Sequence, residues 1–324
     1  MDSYKNKKII ITGGRGYIGS KLSNFFSFLD CTLVIIDNSN INWKPLGTVA
    51  KIIYKKIDLT NFQEINTSDI FDNSDYIFHF ASKDLDNNRN VEEDLKMNTL
   101  STFYLLDKCK NIATNSKIIF ASAAMIYGHV DKIPVNETTS NSPPSLWATS
   151  KLFSENYLKF FSNKYNLKCI SIRIPNIYGE TGRDNIFLRM TINKILFNVY
   201  DKNTLNLYDN LDLDRDFIFI DDVINAFVSI SNLKEELFNG NYYVIGSNEK
   251  SSYRELSNKI NKLRNNSLTI VHNKNIDIDY HEMRKYFADT SKYQLATNWS
   301  PNTSLFDGLK KTLNYIEANY KKFK

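Results

Sequence analysis

The segment that most constrains the fold is a glycine-rich turn near the N-terminus, KKIIITGGRGYIGS at residues 7–20. An apolar run, Ile9–Ile11, leads directly into Gly13, Gly16 and Gly19. Apolar residues then recur at helical spacing, at Ile18, Leu22, Phe25, Phe26 and Leu29. This order predicts a strand, a tight turn and a helix whose N-terminus can bind a pyrophosphate. We therefore expect a dinucleotide site here, the alternative being an ordinary glycine-rich turn.

Strand and helix patterns alternate through the next 150 residues. Apolar strand patterns lie at 32–36, 52–57, 76–80, 117–121 and 169–174. Helical patterns lie at 91–106 and 147–165. Alternating βα units of this size build a doubly wound parallel sheet with right-handed crossovers. The predicted fold class is therefore α/β, with a Rossmann-type sheet.

The alternation loosens from Asn176 onward. Helices are expected at 186–199, 222–230 and 305–323, and strands at 217–220 and 242–245. We predict that residues 1–175 form a dinucleotide-binding domain, to which 217–245 return. Residues 176–216 and 246–324 are then a smaller C-terminal α/β lobe that binds the substrate. Such a lobe would cover the carboxyl ends of the strands, where ligands bind in these sheets.

Composition excludes several classes of protein. The basic groups at 5–8 and 321–324 lack interleaved aromatics, so the net charge of +5 does not indicate nucleic-acid binding. A membrane-spanning helix needs about 18 consecutive apolar residues, and no apolar run is that long. No signal-peptide pattern is visible. We therefore expect a cytoplasmic protein. Three widely spaced cysteines and four histidines without ligand spacing predict neither a disulfide nor a metal site.

Two acidic residues end predicted strands. Asp37 follows the second strand, where a carboxylate can accept both ribose hydroxyls of an adenosine and repel a 2′-phosphate. No arginine follows it closely and Lys44 is the nearest cation in the sequence, so NAD is favoured over NADP. Asp58 ends the third strand and either caps the adenine amino group or forms a strand-end turn.

Ten motifs in order make the chain resemble the extended short-chain dehydrogenases/reductases, specifically the NAD-dependent epimerases and dehydratases of nucleotide sugars. The motifs are TGGRGYIG at 12–19, VIIDN at 34–38, IDLTN at 57–61, IFHFAS at 77–82, MNTLSTFYLLDKC at 97–109, IIFASAAMIYG at 118–128, WATSKLFSENY at 147–157, RIPNIYGE at 173–180, RDFIFIDDV at 215–223 and FADTSK at 287–292. The resemblance implies a nucleotide-sugar substrate. It also implies a homodimer formed through helices at about 95–108 and 147–165.

The same resemblance assigns the binding residues. It implies that Gly13, Gly16 and Gly19 face the pyrophosphate and that Lys151 reaches the nicotinamide ribose. The other implied NAD contacts are Tyr17, Ile18, Asp37, Asn38, Asp58, Leu59, Ala81 and Asn98. The implied substrate-binding residues are Ala123, Asn176, Arg215 and Arg284.

The chain departs from the family pattern at the catalytic residues. The family signature is Tyr-x-x-x-Lys with an upstream Ser or Thr, in which lysine one helical turn away lowers the pKa of the tyrosine base. Here the signature reads Trp147-Ala-Thr-Ser-Lys151, and Ala123 occupies the Ser/Thr position. Indole only donates hydrogen bonds and cannot act as a base near neutral pH. Lys151 is therefore the one member of the catalytic set that is retained.

Three interpretations stay open. In the first, the redox step persists and the proton leaves through Lys151, through a water relayed by Ser122 or Thr149, or through Tyr127, His129 or Lys83, while Trp147 packs against the ligand. In the second, the protein is a catalytically silent homologue that binds dinucleotide or nucleotide sugar as a regulatory or partner subunit. In the third, residues 123 and 147 are engineered changes.

The first interpretation implies an NAD-dependent oxidation at C4 of a nucleotide-linked hexose or heptose in surface-polysaccharide biosynthesis. The enzyme would be of the 4-dehydrogenase or 4-epimerase type. An epimerase must take the proton and return it in each turnover, so it should suffer most from the missing tyrosine, which favours dehydrogenation. Dehydratases need an acid/base pair after the Ser/Thr position, where this chain has Ala124 and Met125.

Overall fold

The computed structural model describes residues 2–40, 43–83, 91–113, 115–207, 212–272 and 284–323. Its centre is a seven-stranded parallel sheet. The strands of this sheet are β1 Lys8–Thr12, β2 Thr32–Ile36, β3 Lys51–Lys55, β4 Tyr76–His79, β5 Lys117–Ala123, β6 Lys168–Ile174 and β10 Asn239–Val244. The predicted Rossmann-type α/β fold is confirmed.

The strand order places the cofactor crevice. The order is β10-β6-β5-β4-β1-β2-β3, so the chain reverses direction across the sheet between β1 and β4. Ligands in open parallel sheets bind outside the carboxyl ends of the strands at this reversal. Thr12 and His79 end β1 and β4 and lie in register there.

Both faces of the sheet are buried, which explains the continuous apolar strand runs. Ile9 and Ile11 of β1 point into one core layer, and Ile10 points into the other. The helices that cover the sheet or extend from it are α1 Tyr17–Ser27, α2 Phe62–Thr67, α3 Val91–Leu95, α4 Ser101–Ile112, α5 Leu146–Tyr165 and α7 Ile220–Ser231.

The second half of the chain adds two smaller sheets. The first, in the order β11-β9-β7, comprises β7 Asn176–Tyr178, β9 Asp214–Phe219 and β11 Lys250–Ser252; the second pairs β8 Thr204–Leu207 with β12 Thr269–His272. The helices here are α6 Thr191–Lys202, α8 Tyr253–Leu263, α9 Ser291–Thr297 and α10 Leu305–Phe323. Strand β10 returns to the large sheet, whereas β9 lies in the three-stranded sheet. The domain boundaries themselves stay a prediction.

Two helical predictions need correction. The helix expected at 91–106 is divided by a π-helical turn, Lys96–Leu100, that separates α3 from α4. The helix expected at 186–199 begins only at Thr191, because Met190 has an extended backbone and a 3₁₀ helix, Asp184–Arg189, precedes it. The predicted C-terminal helix has the bounds of α10, Leu305–Phe323.

Within the described ranges, no helix is long and apolar enough to cross a membrane. In the same ranges, no group of three or more His, Cys, Asp or Glu side chains is placed to hold a metal ion. Cys31, Cys109 and Cys169 are free and buried.

Candidate active site

The glycine turn, residues 13–19, has a shape that side chains would prevent. Gly13 has φ +63°, and a Cβ there would lie 2.7 Å from the backbone nitrogen of Ala81. A Cβ on Gly19 would collide with the carbonyl oxygen of Gly13. Gly16 precedes α1 without a side-chain cap, so the first N–H groups of the helix have no side-chain acceptor there. The turn is therefore a cradle that exposes backbone donors, as a pyrophosphate requires.

Tyr17 and Ile18 lie in the last part of the turn, where α1 begins, and their side chains point away from the cradle. The Tyr17 hydroxyl donates to the carbonyl of Gly179 at 2.6 Å and accepts from the Asn193 amide at 3.1 Å. Burial raises the pKa of Tyr17 well above its usual range. Ile18 packs against the hydrophobic core. The backbone of these two residues is what remains for a cofactor contact.

Asp37 directly follows β2, at the carboxyl end of that strand. Its two carboxylate oxygens accept from the backbone N–H groups of Arg15 and Ser39, each at 3.0 Å. Arg15 also donates to the Ser39 carbonyl at 2.9 Å, and Arg183 donates to the Arg15 carbonyl at 2.8 Å. The sequence after Asp37 indicates neither arginine, because Arg15 lies inside the turn and Arg183 comes from the distant half of the chain. The neighbouring Asn38 is exposed.

Asp58 forms the strand-end turn that was one of its two interpretations. One carboxylate oxygen accepts from the N–H and the hydroxyl of Thr60, at 2.9 and 2.8 Å. The contact with adenine stays a prediction. Leu59 is buried in the core between the sheet and α4.

His79, at the end of β4, links β1 to the helix α4 through its ring. One ring nitrogen lies 2.7 Å from the Thr12 hydroxyl, and the other lies 3.0 Å from the Thr102 hydroxyl. Burial and the positive charge of Lys151 lower the pKa of His79 to about 3. The imidazole is therefore neutral and structural at ordinary pH. Ala81, two residues on, donates its N–H to Thr12 at 3.4 Å.

Asn98 lies on the π-helical turn, a distortion that is frequent at functional sites. Its side-chain oxygen accepts from the Ser82 hydroxyl at 2.8 Å and from the Lys83 N–H at 2.9 Å. Its amide nitrogen is buried and has no hydrogen-bond partner within the described part of the chain. An unsatisfied buried donor suits an acceptor that a ligand brings.

The catalytic corner, defined here as Ala123, Trp147 and Lys151, lies at the end of β5 and the start of α5. The Ser145 hydroxyl caps α5 by accepting from the Ala148 N–H at 3.2 Å. Trp147 is half-buried, so it does not fill core space. Its indole N–H donates to the Ser82 hydroxyl at 3.3 Å. Ala123, at the end of β5, is buried.

Lys151 is only 4% exposed. Its ammonium donates to the Ala121 carbonyl at 2.9 Å. It lies 4.7 Å from the centre of the Phe120 ring and 5.6 Å from that of Trp147. A carbonyl and two aromatic faces all stabilise the charged form of an amine.

Three hydroxyls that could replace the tyrosine donate elsewhere. Ser122 donates to Glu155, which also pairs with the guanidinium of Arg173 at 2.7 Å. Thr149 donates to the Ser145 carbonyl at 2.9 Å. Tyr127 is fully buried and donates to the Asn136 carbonyl at 2.8 Å.

Each of these hydroxyls therefore has an acceptor within the protein, and the roles of Ser122, Thr149 and Tyr127 as base or relay stay predictions. Burial also raises the pKa of Tyr127, which disfavours the phenolate that a base requires. The two remaining candidates are surface groups, since Lys83 forms an exposed ion pair with Glu93 at 2.6 Å and His129 is exposed.

Three of the predicted substrate residues lie at the three-stranded sheet: Arg215 is on β9, Asn176 is on β7, and the Arg284 carbonyl contacts Arg215. Arg215 is 2% exposed and donates to the carbonyls of Asp214 and Arg284. Asn176 donates to the Asp216 carbonyl at 3.3 Å, and β7 and β9 are paired there. Two guanidinium-bearing residues beside an amide suit a phosphorylated ligand.

The residues present fit a dinucleotide. The glycine turn offers backbone donors, Asp37 offers a carboxylate at the carboxyl end of β2, and Asn98 has an amide N–H group that no described group accepts. These groups lie around the carboxyl ends of β1, β2 and β4, at the reversal of strand order.

Comparison with known proteins agrees with this geometry. Residues 9–246 match the NAD dependent epimerase/dehydratase family. Over 98% of this chain and 100% of the relative, it is 28% identical to dTDP-4-dehydro-6-deoxyglucose reductase of Escherichia coli.

Two solved structures share the fold. The UDP-glucose 4-epimerase of Thermotoga maritima, solved with UDP-glucose, has a TM-score of 0.85 and 24% identity over 97% of this chain and 99% of that chain. The enzyme WbmF of Bordetella bronchiseptica, in complex with NAD+ and UDP, has a TM-score of 0.77 and 22% identity over 100% and 96%. The family match covers most of the sequence and the whole cofactor crevice; the chain belongs to the NAD-dependent epimerase/dehydratase family, and its cofactor is NAD.

Proposed function

We propose that the protein oxidises the C4 hydroxyl of a nucleotide-linked hexose or heptose. Bound NAD supplies the hydride acceptor for this chemistry. The observation that carries the proposal is the buried ammonium of Lys151 at the carboxyl end of β5, beside a cofactor crevice that keeps its glycine cradle and Asp37. Arg215, Arg284 and Asn176 are the proposed ligands of the nucleotide phosphates.

The role proposed for Lys151 is electrostatic. Its ammonium contacts a carbonyl and two aromatic rings, and a cation fixed in this way stabilises negative charge that develops on the sugar oxygen. The sugar proton then leaves to water beside the half-exposed Trp147. A one-way oxidation needs that proton to leave once, whereas an epimerase needs it back in each cycle. The arrangement therefore favours a 4-dehydrogenase over a 4-epimerase.

A silent homologue is the second candidate, because Ser122, Thr149 and Tyr127 all donate to acceptors other than a substrate. Such a protein would bind dinucleotide or nucleotide sugar as a regulatory or partner subunit. Both candidates share the cofactor crevice and differ only in turnover.

The deciding experiment begins with purified protein. Bound dinucleotide is released and identified as NAD or NADH, and the protein is then given NAD with a panel of GDP-, UDP-, CDP- and dTDP-sugars. We expect one class of sugar nucleotide to reduce NAD, which is followed by the absorbance of NADH. Dinucleotide binding with neither reduction of NAD nor conversion of any sugar nucleotide to another sugar nucleotide would favour the silent homologue.

We extend the proposal to a cytoplasmic homodimer that works in surface-polysaccharide biosynthesis. The dimer is supported by aromatic side chains on the outer face of α5, where Phe153 is 47% and Phe160 is 52% exposed. Apolar surface of this kind is typical of interaction sites. Sedimentation at micromolar concentration tests the dimer, and a monomer there would contradict it.

A further inference from the structure

A chain of hydrogen bonds connects the tryptophan of the catalytic corner to the cofactor crevice. The indole N–H of Trp147 donates to Ser82, and the Ser82 hydroxyl donates to the side-chain oxygen of Asn98. The three residues come from α5, from the segment after β4 and from the π-helical turn. These two hydrogen bonds therefore connect three separate elements through the side-chain amide of Asn98.

The polarity of these bonds fixes how Asn98 is oriented. Because the Ser82 hydroxyl and the Lys83 N–H both donate to it, the atom facing them must be the carbonyl oxygen of the amide. The amide nitrogen then faces the other way, buried and without an acceptor among the described residues. If the Asn98 amide were rotated by 180°, its NH₂ group would face the Ser82 and Lys83 donors. The two hydrogen bonds therefore keep the NH₂ group on the other side, where a ligand could accept from it.

We propose that Trp147 is a positioning residue for NAD, which acts through Ser82 to keep the Asn98 amide donor directed at the cofactor. The indole N–H can only donate a hydrogen bond, so the Ser82 oxygen accepts from it. The Ser82 hydroxyl hydrogen is then directed at the side-chain oxygen of Asn98. Tryptophan here thus has a task that a proton-transferring tyrosine would not have. This inference concerns NAD binding and does not depend on the proposed sugar oxidation.

The test is a double-mutant cycle on NAD affinity, measured by calorimetry on protein freed of dinucleotide. Trp147→Phe keeps an aromatic ring and removes the N–H donor, and Ser82→Ala removes the middle of the chain. We expect each variant to weaken NAD binding about three- to tenfold, and the double variant to weaken it no further than the stronger single variant. Effects that simply multiply would overturn the proposal.

A matched control removes a different indole donor. Trp299 is buried and donates to the Asp222 carbonyl at 3.1 Å, away from the chain of bonds to Asn98. Trp299→Phe should lower the melting temperature and leave NAD affinity unchanged. If it weakens NAD binding as much as Trp147→Phe does, general destabilisation explains the effect and the proposal is wrong.

A spectroscopic readout tests the link without any ligand. The chain has three tryptophans, and the indole N–H signal of Trp147 is the one that Trp147→Phe removes from an NMR spectrum. Ser82→Ala should shift this signal and leave those of Trp43 and Trp299 in place. If the Trp147 signal did not shift in Ser82→Ala, the proposal would be wrong. NAD binding without sugar oxidation would instead contradict the proposed function and leave this inference standing.

Discussion

The glycine turn and the catalytic corner lie at the carboxyl ends of the same sheet, yet they depend on the sequence in different ways. The turn binds through backbone groups, and its shape requires the absence of side chains at Gly13 and Gly19. The corner depends on single side-chain atoms, such as the indole N–H of Trp147 that donates to Ser82. The cofactor site therefore depends on backbone shape, whereas proton chemistry depends on individual side chains. The predictions below test whether the two regions are separable.

Lys151→Met should have the largest effect. Methionine can fill the space of the lysine stem and removes the ammonium that contacts the Ala121 carbonyl. We expect turnover with the active sugar nucleotide to fall by about 10²–10⁴-fold, the typical contribution of a proton-handling or charge-stabilising group. Steady-state reduction of NAD at saturating substrate measures it.

Lys83→Met is the matched control, because the Lys83 ammonium pairs with Glu93 at an exposed position. Exposed pairs contribute little, so turnover should stay within about twofold of the wild type. If Lys83→Met abolished turnover and Lys151→Met did not, the proton chemistry would belong to the surface lysine instead.

Gly13→Ala should have the next largest effect, this time on the other region. The left-handed backbone at φ +63° and the close approach to Ala81 both oppose a Cβ. Strain of about 1–3 kcal/mol that is relieved by moving the turn should weaken NAD binding about 5- to 150-fold. Calorimetric titration with NAD measures the change.

Gly240→Ala separates strain from position. Gly240 also has a positive φ, +78°, and a Cβ there would meet the backbone of Lys159 at the far edge of the sheet. The variant should lose stability and keep its NAD affinity. Equal losses of affinity in both variants would mean that the glycine turn has no special role.

The sequence predicted the turn and the large sheet because both follow from local patterns. The apolar run Ile9–Ile11 marks a strand buried on both faces, and the glycine spacing marks the turn. Arg183 could not be placed beside Arg15 and Asp37 in this way, because only tertiary folding brings residues so distant in the chain together.

The side-chain chemistry of the catalytic corner was harder to predict than the fold. Ser122 and Tyr127 carry suitable groups and lie near the family motifs, so they were reasonable candidates. Whether a hydroxyl is available depends on its partner, and Glu155 and the Asn136 carbonyl are partners that no local pattern identifies. The π-helical turn that presents Asn98 is likewise invisible to helical periodicity.

His79 lies between the two regions, since its ring bonds Thr12 at the start of the glycine turn and Thr102 of α4, the helix that packs beside α5. Its pKa, lowered to about 3 from 6.5, means that between these values the unfolded chain binds more protons than the folded one. Stability should therefore be unaffected by His79 above about pH 6.5 and should fall as the pH drops below it, by about 2 kcal/mol at pH 5.

His79→Asn should remove that pH dependence, because an amide can bond one threonine and does not titrate. Urea unfolding at pH 7 and pH 5 should then differ by about 2 kcal/mol less than in the wild type. An unaltered slope in His79→Asn would contradict the assignment. Burial is the larger cause of the low pKa and Lys151 the smaller, so Lys151→Met should reduce the slope only slightly. A large reduction would show instead that the charge at the catalytic corner governs the link to the glycine turn, and that the two regions are not separable.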